Sequence, residues 1–246
     1  MIRPLALHGG GEFLSGDEPF LRALLDLAAV AAAGRDAATG TVRVELLTTA
    51  VARHQPDMAF AVGSAAFERV AAEARDDLPP IRVHHARVID EASAADPDVV
   101  ERLATADLVY LPGGDPDAVL EILAGTAAWH GVEQARLRGA VVAGASAGAM
   151  ALGERTWTRG GYIAGFGWAG RLVVVPHASV ERMASMRPTV DALPHGTELS
   201  ILGLPERCGV TGRPGAWTVV GAAGAWWWPP HAPGPRHEPA GAVIRD

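Results

Sequence analysis

Apolar residues recur along this chain in two alternating patterns. Residues 4–8, Val42 to Thr48, Ile81 to Val88, Leu108-Val109-Tyr110-Leu111 and Ala140-Val141-Val142-Ala143 are short apolar runs with the length of buried strands. Between them lie longer Ala/Leu-rich stretches, at about 17–33, 56–76, 97–105, 116–124 and 127–137, that read as helices. In the first, Phe20, Leu21, Leu24, Leu25, Leu27 and Ala28 share one face, and Ser15 and Glu18 have capping-box spacing. In the second, Phe60, Phe67, Val70 and Ala71 are core candidates. Strand, helix, strand, helix in this order predicts a three-layer α/β fold, a mostly parallel sheet flanked by helices. Beyond residue 170 the pattern turns strand-rich, at Leu172 to Val175, Ser200 to Leu202, Trp217 to Gly221 and Ala225 to Trp228. Five prolines between Pro229 and Ala240 predict an extended or mobile terminus. Residues 1–228 therefore read as one domain and 229–246 as a Pro-rich tail.

Composition narrows the partners. With 49% hydrophobic and 20% charged residues in 246, there is material for a real core and little scope for disorder. The net charge is −7, and every basic residue is arginine. An acidic surface without basic clusters argues against nucleic acid or an anionic membrane as the main partner. Met1 to His8 is too short an apolar run for a signal peptide, and no run approaches the ~20 apolar residues of a membrane span. The chain reads as soluble and cytoplasmic, with a homodimer as a compatible assembly. Cys208 is the only cysteine, which excludes a disulfide framework and a cysteine-based zinc site; no metal or cofactor is expected.

In parallel α/β sheets, sites form at the carboxyl ends of the strands. Three Gly-rich turns fall at such ends: Gly9-Gly10-Gly11, Gly113-Gly114, and Gly144-Ala145-Ser146-Ala147-Gly148. The third fits G-x-S-x-G between a strand and a helix. A tight turn of small residues exposes the Ser146 hydroxyl, and the N–H of Ala147 can face a developing oxyanion. Equally, such a turn can do no more than pack a helix on a sheet. A serine nucleophile needs a base. His177 follows the apolar strand Leu172 to Pro176, and so lies at a strand end, as His8 does. His84 and His85 fall within a strand, while His54, His130, His231 and His237 sit in helical or polar surroundings. For the acid that orients the base, Glu206 follows Ile201 and Leu202; Glu154, Glu181 and Asp191 compete. Pro112-Gly113-Gly114-Asp115-Pro116 can donate an N–H into a site, or be a plain turn capped by Asp115. Gly9 to Phe13 can line a pocket, bind an anion, or form a flexible loop.

Together these residues resemble the peptidase family that includes cyanophycinase and aspartyl dipeptidase (peptidase E). The match rests on Gly9-Gly10-Gly11-Glu12-Phe13, Tyr110 to Asp115, the elbow Gly144 to Ala149, Pro176-His177, and Gly203-Leu204-Pro205-Glu206. The resemblance implies a flavodoxin-like, class I glutamine-amidotransferase-like fold, with Ser146 as nucleophile, His177 as base and Glu206 as orienting acid. It implies an oxyanion hole from Ala147 and from Gly113 or Gly114, with Gly10, Gly11, Glu12 and Asp115 lining the substrate site. The substrate it implies is a small peptide cut beside an aspartyl residue or at a β-aspartyl bond. Two departures bear on substrate choice: Ala178 stands where the family tends to place an aromatic, and Arg182 and Arg187 do not keep the family's spacing from the histidine.

Two other readings remain. An α/β-hydrolase-type esterase also uses G-x-S-x-G, but wants its acid before a histidine near the C-terminus, here His231 or His237. A binding or regulatory domain can keep such a fold without activity. A glutamine amidotransferase proper carries cysteine in the elbow, and Cys208 lies elsewhere.

Overall fold

A computed structural model of the chain describes residues 3–35 and 40–245. Met1 and Ile2 of the N-terminal run, and Asp246 of the predicted tail, lie outside the described residues. The first half alternates as the periodicity predicts: β1 (Leu5–His8), α1 (Glu18–Arg35), β2 (Val42–Leu47), α2 (Pro56–Glu73), β3 (Ile81–Ala86), α3 (Glu91–Ala94), α4 (Pro97–Thr105), β4 (Leu108–Leu111), α5 (Pro116–Leu123), α6 (Ala127–Arg138) and β5 (Val141–Ala145). These five strands run parallel in the order β1-β5-β4-β2-β3.

Local chemistry sets the helix ends. The Asp96 and Asp115 carboxylates accept N–H groups two residues on, each followed by a proline at the first helical position of α4 and α5. Thr126 caps α6, and Gly139 ends it in the left-handed region at φ 102°. The start of α1 differs from the expected Ser15–Glu18 box. Glu18 takes the N–H of Gly16, and the buried Asp17 carboxylate takes that of Phe13, so the turn is built one residue nearer the helix.

The second half follows as α7 (Ala147–Leu152), β6 (Arg155–Thr158), β7 (Gly161–Ala164), β8 (Leu172–Pro176), α8 (Val180–Asp191), β9 (Ser200–Leu204), β10 (Gly209–Arg213), β11 (Ala216–Val220), β12 (Ala225–Trp228), β13 (Arg236–Glu238) and β14 (Val243–Ile244). Strands β10, β11 and β14 extend the first sheet antiparallel beyond β1, giving eight strands. The others form a second sheet, β13-β12-β9-β8-β6-β7, in which β6, β8 and β9 are parallel.

Core packing follows the pleat. On one face of the large sheet, Ala6, Val44, Leu46, Leu108 and Tyr110 pack against Phe20, Leu21, Leu24 and Leu25 of α1 and Phe67 and Val70 of α2. Burying each of these larger side chains contributes roughly 1.5–3 kcal/mol. The other face shares its core with helices α4 to α7 and with Leu172 and Val174 of β8. The alternate residues Val173 and Val175 pack beneath α8 with Met183 and Val190. The small sheet is thus apolar on both faces, which is why β8 reads as a continuous run.

The Pro-rich segment from Pro229 is not a free tail. Residues Arg236 to Glu238 pair with β12, and Val243 and Ile244 pair with β11, with Ile244 fully buried. Its prolines fall in the turns before each short strand, where no ladder N–H is lost. Among the described residues, no helix is long and apolar enough to cross a membrane.

Candidate active site

β5 ends at Ala145 and α7 begins at Ala147, so Ser146 alone makes the turn between them. Its backbone sits at φ 44° and ψ −107°, a sparsely populated conformation that costs about 1–3 kcal/mol. Close packing on either side holds it there. A Cβ on Gly144 would stand 2.4 Å from the carbonyl carbon of Gly148, and one on Gly148 would stand 2.4 Å from the carbonyl oxygen of Leu111. The elbow glycines are therefore needed for α7 to close on β4 and β5. The Ser146 N–H donates to the His8 carbonyl at 2.9 Å, tying the turn to β1.

His177 directly follows β8, also at positive φ (50°), and its N–H donates to the Gly9 carbonyl at 2.8 Å. Its Nε2 lies 3.3 Å from Ser146 Oγ, and its Nδ1 lies 3.0 Å from Glu206 Oε1. A carboxylate only accepts, so Nδ1 is assigned the proton and Nε2 turns a lone pair to the hydroxyl. Glu206 stands two residues past β9. The side chains of His177 and Glu206 are 43% and 51% exposed, so water screens their pairing. The Arg207 guanidinium lies 4.0 Å from the second oxygen of Glu206. Ser146 thus comes from the eight-stranded sheet, while His177 and Glu206 come from adjacent strands of the six-stranded one.

The glycine run after β1 joins the two. The Gly10 carbonyl accepts the Arg207 N–H at 2.8 Å, and the Gly9 N–H donates to the Cys208 carbonyl. A Cβ on Gly10 would lie 2.4 Å from His177 Cε1, and one on Gly11 would lie 3.2 Å from Glu206 Cβ. Gly10 and Gly11 therefore pack against the imidazole and the carboxylate. Beneath them, His8 accepts the Gly10 N–H on Nδ1 at 3.3 Å. Its Nε2 lies 2.9 Å from Asp17 Oδ1, close but outside aligned hydrogen-bond geometry, with both side chains fully buried. Asp17 carried no signal in the sequence beyond its place before a helix.

Glu12 turns the other way. Its Oε1 accepts the Gly113 N–H at 2.6 Å, so the amide expected to face an oxyanion holds a carboxylate here. Gly113 also borders Ser146: a Cβ on it would lie 3.2 Å from Ser146 Cβ. Gly114, at φ 147°, backs onto the Ala50 carbonyl. Ala147 supplies the amide that follows Ser146. Asp115 caps α5 and lies 3.4 Å from Arg53. The fully buried Tyr110 phenol is pushed well above its ordinary range by burial, with the charges of Glu12 and Asp17 adding to it.

The competing residues stand elsewhere. Glu154 begins the connection to β6, its N–H on the Leu172 carbonyl. Ser179 hydrogen-bonds Glu181 and holds its carboxyl below the usual range, and Asp191 pairs with Arg187. His237 meets the Ala223 carbonyl at 2.8 Å, and burial pushes the Cys208 thiol up. Among the described residues, no group of three or more His, Cys, Asp or Glu side chains is placed to hold a metal.

The fold is three-layer α/β with a serine at the strand-to-helix elbow, and the comparison with family models places the chain in the class of serine peptidase hydrolases. The model of peptidase family S51 matches residues 44–211, well over half the chain, and the chain belongs to that family, which holds cyanophycinase and peptidase E. Two solved structures share the fold. A crystal structure of a peptidase from an acI-B1 Actinobacterium aligns with a TM-score of 0.76 and 23% identity, over 100% of this chain and 98% of that one. A 1.5 Å crystal structure of a putative peptidase E protein from Listeria monocytogenes EGD-e aligns with a TM-score of 0.58 and 12% identity, over 89% and 98%. The comparison with curated proteins gives no match.

Proposed function

We propose that the protein hydrolyses peptide bonds with Ser146 as nucleophile, His177 as general base and acid, and Glu206 as the group that orients the imidazole. The observation that supports this is the unbroken line of contacts from Ser146 Oγ through both ring nitrogens of His177 to Glu206. Ser146 Oγ bonds to the scissile carbonyl carbon as its proton passes to His177 Nε2. The carbonyl oxygen takes the negative charge, with the Ala147 N–H and an amide of the Gly113-Gly114 turn as donors. The imidazolium then protonates the leaving amine, the C–N bond breaks, and an acyl-enzyme remains. Water attacks that ester, again losing its proton to Nε2, and Ser146 is released. Glu206 fixes the tautomer and stabilises the imidazolium throughout.

A fluorophosphonate probe tests the nucleophile directly. Labelling of the wild type at Ser146, lost in Ser146→Ala, is the expected result, with the labelling rate falling in acid because a protonated imidazole cannot take the serine proton. Labelling at another residue, or none of the folded protein, would remove Ser146 from this role. The imidazole at Ser146 Oγ is that of His177, and His237 meets the Ala223 carbonyl, so nothing favours the esterase arrangement.

A further inference from the structure

The resemblance implies aspartyl or β-aspartyl substrates, and such substrates need a cation to receive the side-chain carboxylate. The cleft beside Ser146 has the opposite character. It encloses about 360 Å³ and is walled by Phe13, Val51, Met58, Ala59 and Val62, with His54 and Gln55 also contributing. Among the described residues, the one carboxylate in its lining is Glu12, and no arginine lines it. Met58 and Val62 present 60% and 49% of their surface to solvent, apolar area with nothing covering it. Arg159 lies across Gly114 in a neighbouring depression, and it and Arg53 are turned to Asp115.

The position of Glu12 relative to the nucleophile decides what it can recognise. Gly113 lies between them: a Cβ there would be 2.8 Å from Glu12 Oε1 and 3.2 Å from Ser146 Cβ. In a substrate whose first residue provides the scissile carbonyl, the α-ammonium is about 2.5 Å from the carbonyl carbon. That charge would therefore stand next to the Glu12 carboxylate when the carbon stands at Ser146 Oγ. We infer that Glu12 binds the free α-ammonium of the substrate, and that the cleft takes an apolar first side chain, so that the enzyme removes an apolar amino-terminal residue from short peptides. This rests on the peptidase reading above.

An aspartyl side chain in this cleft would bring a second carboxylate beside Glu12, which is unfavourable. A Leu or Met side chain would bury the exposed faces of Met58 and Val62. Recognition is also tied to chemistry. Glu12 holds the Gly113 N–H until an ammonium draws it away, so a substrate with a free amino terminus frees the donor that its own oxyanion uses. A blocked amino terminus leaves that amide occupied.

The test compares Leu-, Met-, Asp- and N-acetyl-Leu-7-amido-4-methylcoumarin on the full chain, alongside fluorophosphonate labelling. The Leu and Met substrates should be cut on the order of 10- to 100-fold faster in kcat/KM than the acetylated one, the worth of a charge-assisted contact, and faster than the Asp substrate. In Glu12→Gln the advantage of Leu over N-acetyl-Leu should collapse towards unity. Preference for Asp, or no discrimination against the acetyl group by the wild type, would overturn the inference while leaving the serine mechanism standing. Labelling of Ser146 without hydrolysis of Leu or Met substrates would overturn it too. If Ser146 is not labelled at all, the peptidase reading fails first and this inference with it.

Discussion

Ser146 closes a central strand of the eight-stranded sheet between Ala145 and Ala147, both essentially without exposed surface, whereas His177 and Glu206 end adjacent strands of the six-stranded sheet with about half of each side chain in water. The two halves are held in different ways. Ser146 is fixed by packing, since its turn leaves no room for another conformation. His177 and Glu206 are fixed by backbone hydrogen bonds and close contacts from Gly9, Gly10 and Gly11, which cross from one sheet to the other. Packing in the serine turn admits loss of the Ser146 hydroxyl but no added Cβ at Gly144 or Gly148, while the opposite half depends on a few contacts from one loop.

Five changes test this contrast. Ser146→Ala should have the largest effect on turnover, a loss on the order of 10⁶, with an unchanged melting temperature because alanine suits a turn of small residues. Gly10→Ala should come next. Its Cβ would displace the imidazole and strain a backbone at φ 106°, and a misplacement of about 1 Å is worth roughly 10² in kcat/KM. If Gly10→Ala keeps full activity, the loop does not hold His177 and the contrast is lost. Glu206→Gln should lower kcat by about 10- to 100-fold. That is less than the ~10⁴ seen for a buried acid, because water already stabilises an imidazolium this exposed. Glu154→Gln should change kcat little; a larger loss than in Glu206→Gln would reassign the acid. Ile244→Ala should leave kcat least altered. It should still lower stability by about 2–5 kcal/mol in chemical denaturation, because it empties a buried position at the edge of the eight-stranded sheet.

The same contrast explains what the sequence disclosed. Strands β1 to β5 and helices α1, α2 and α4 to α6 were legible because buried parallel strands give continuous apolar runs and their helices give a clean helical period. Strands β6, β10 and β13 were not, since Arg155-Thr156-Trp157-Thr158, Gly209-Val210-Thr211-Gly212-Arg213 and Arg236-His237-Glu238 are short and mixed. Helix α8 was hidden by Pro188 and by its polar content. The division into two sheets left no local trace, as β5 and β8 read alike. Ser146, His177 and Glu206 could each be picked out as strand-end residues, and the structure brings them into one line. The work of Gly10 against His177, and of Glu12 on Gly113, could not be read, because each joins residues that only the tertiary fold makes neighbours.

Strand β1 also bears on how this site forms in time. Leu5 pairs with Val142 on one side and with Gly212 on the other, so a strand near the start of the sequence waits for two partners from far along it. Each pairing closes a very long loop before any contact rewards it, and topologies of this kind fold slowly. The Gly9–Gly11 bridge follows β1 directly and cannot be set until both pairings exist. During refolding from denaturant, helical signal should therefore return first, burial of Trp217 on β11 later, and reactivity of Ser146 towards a fluorophosphonate last. The chain would then pass through a stage that is compact and largely helical yet chemically silent, with hydrolytic competence arriving only at the final closure of its central strand.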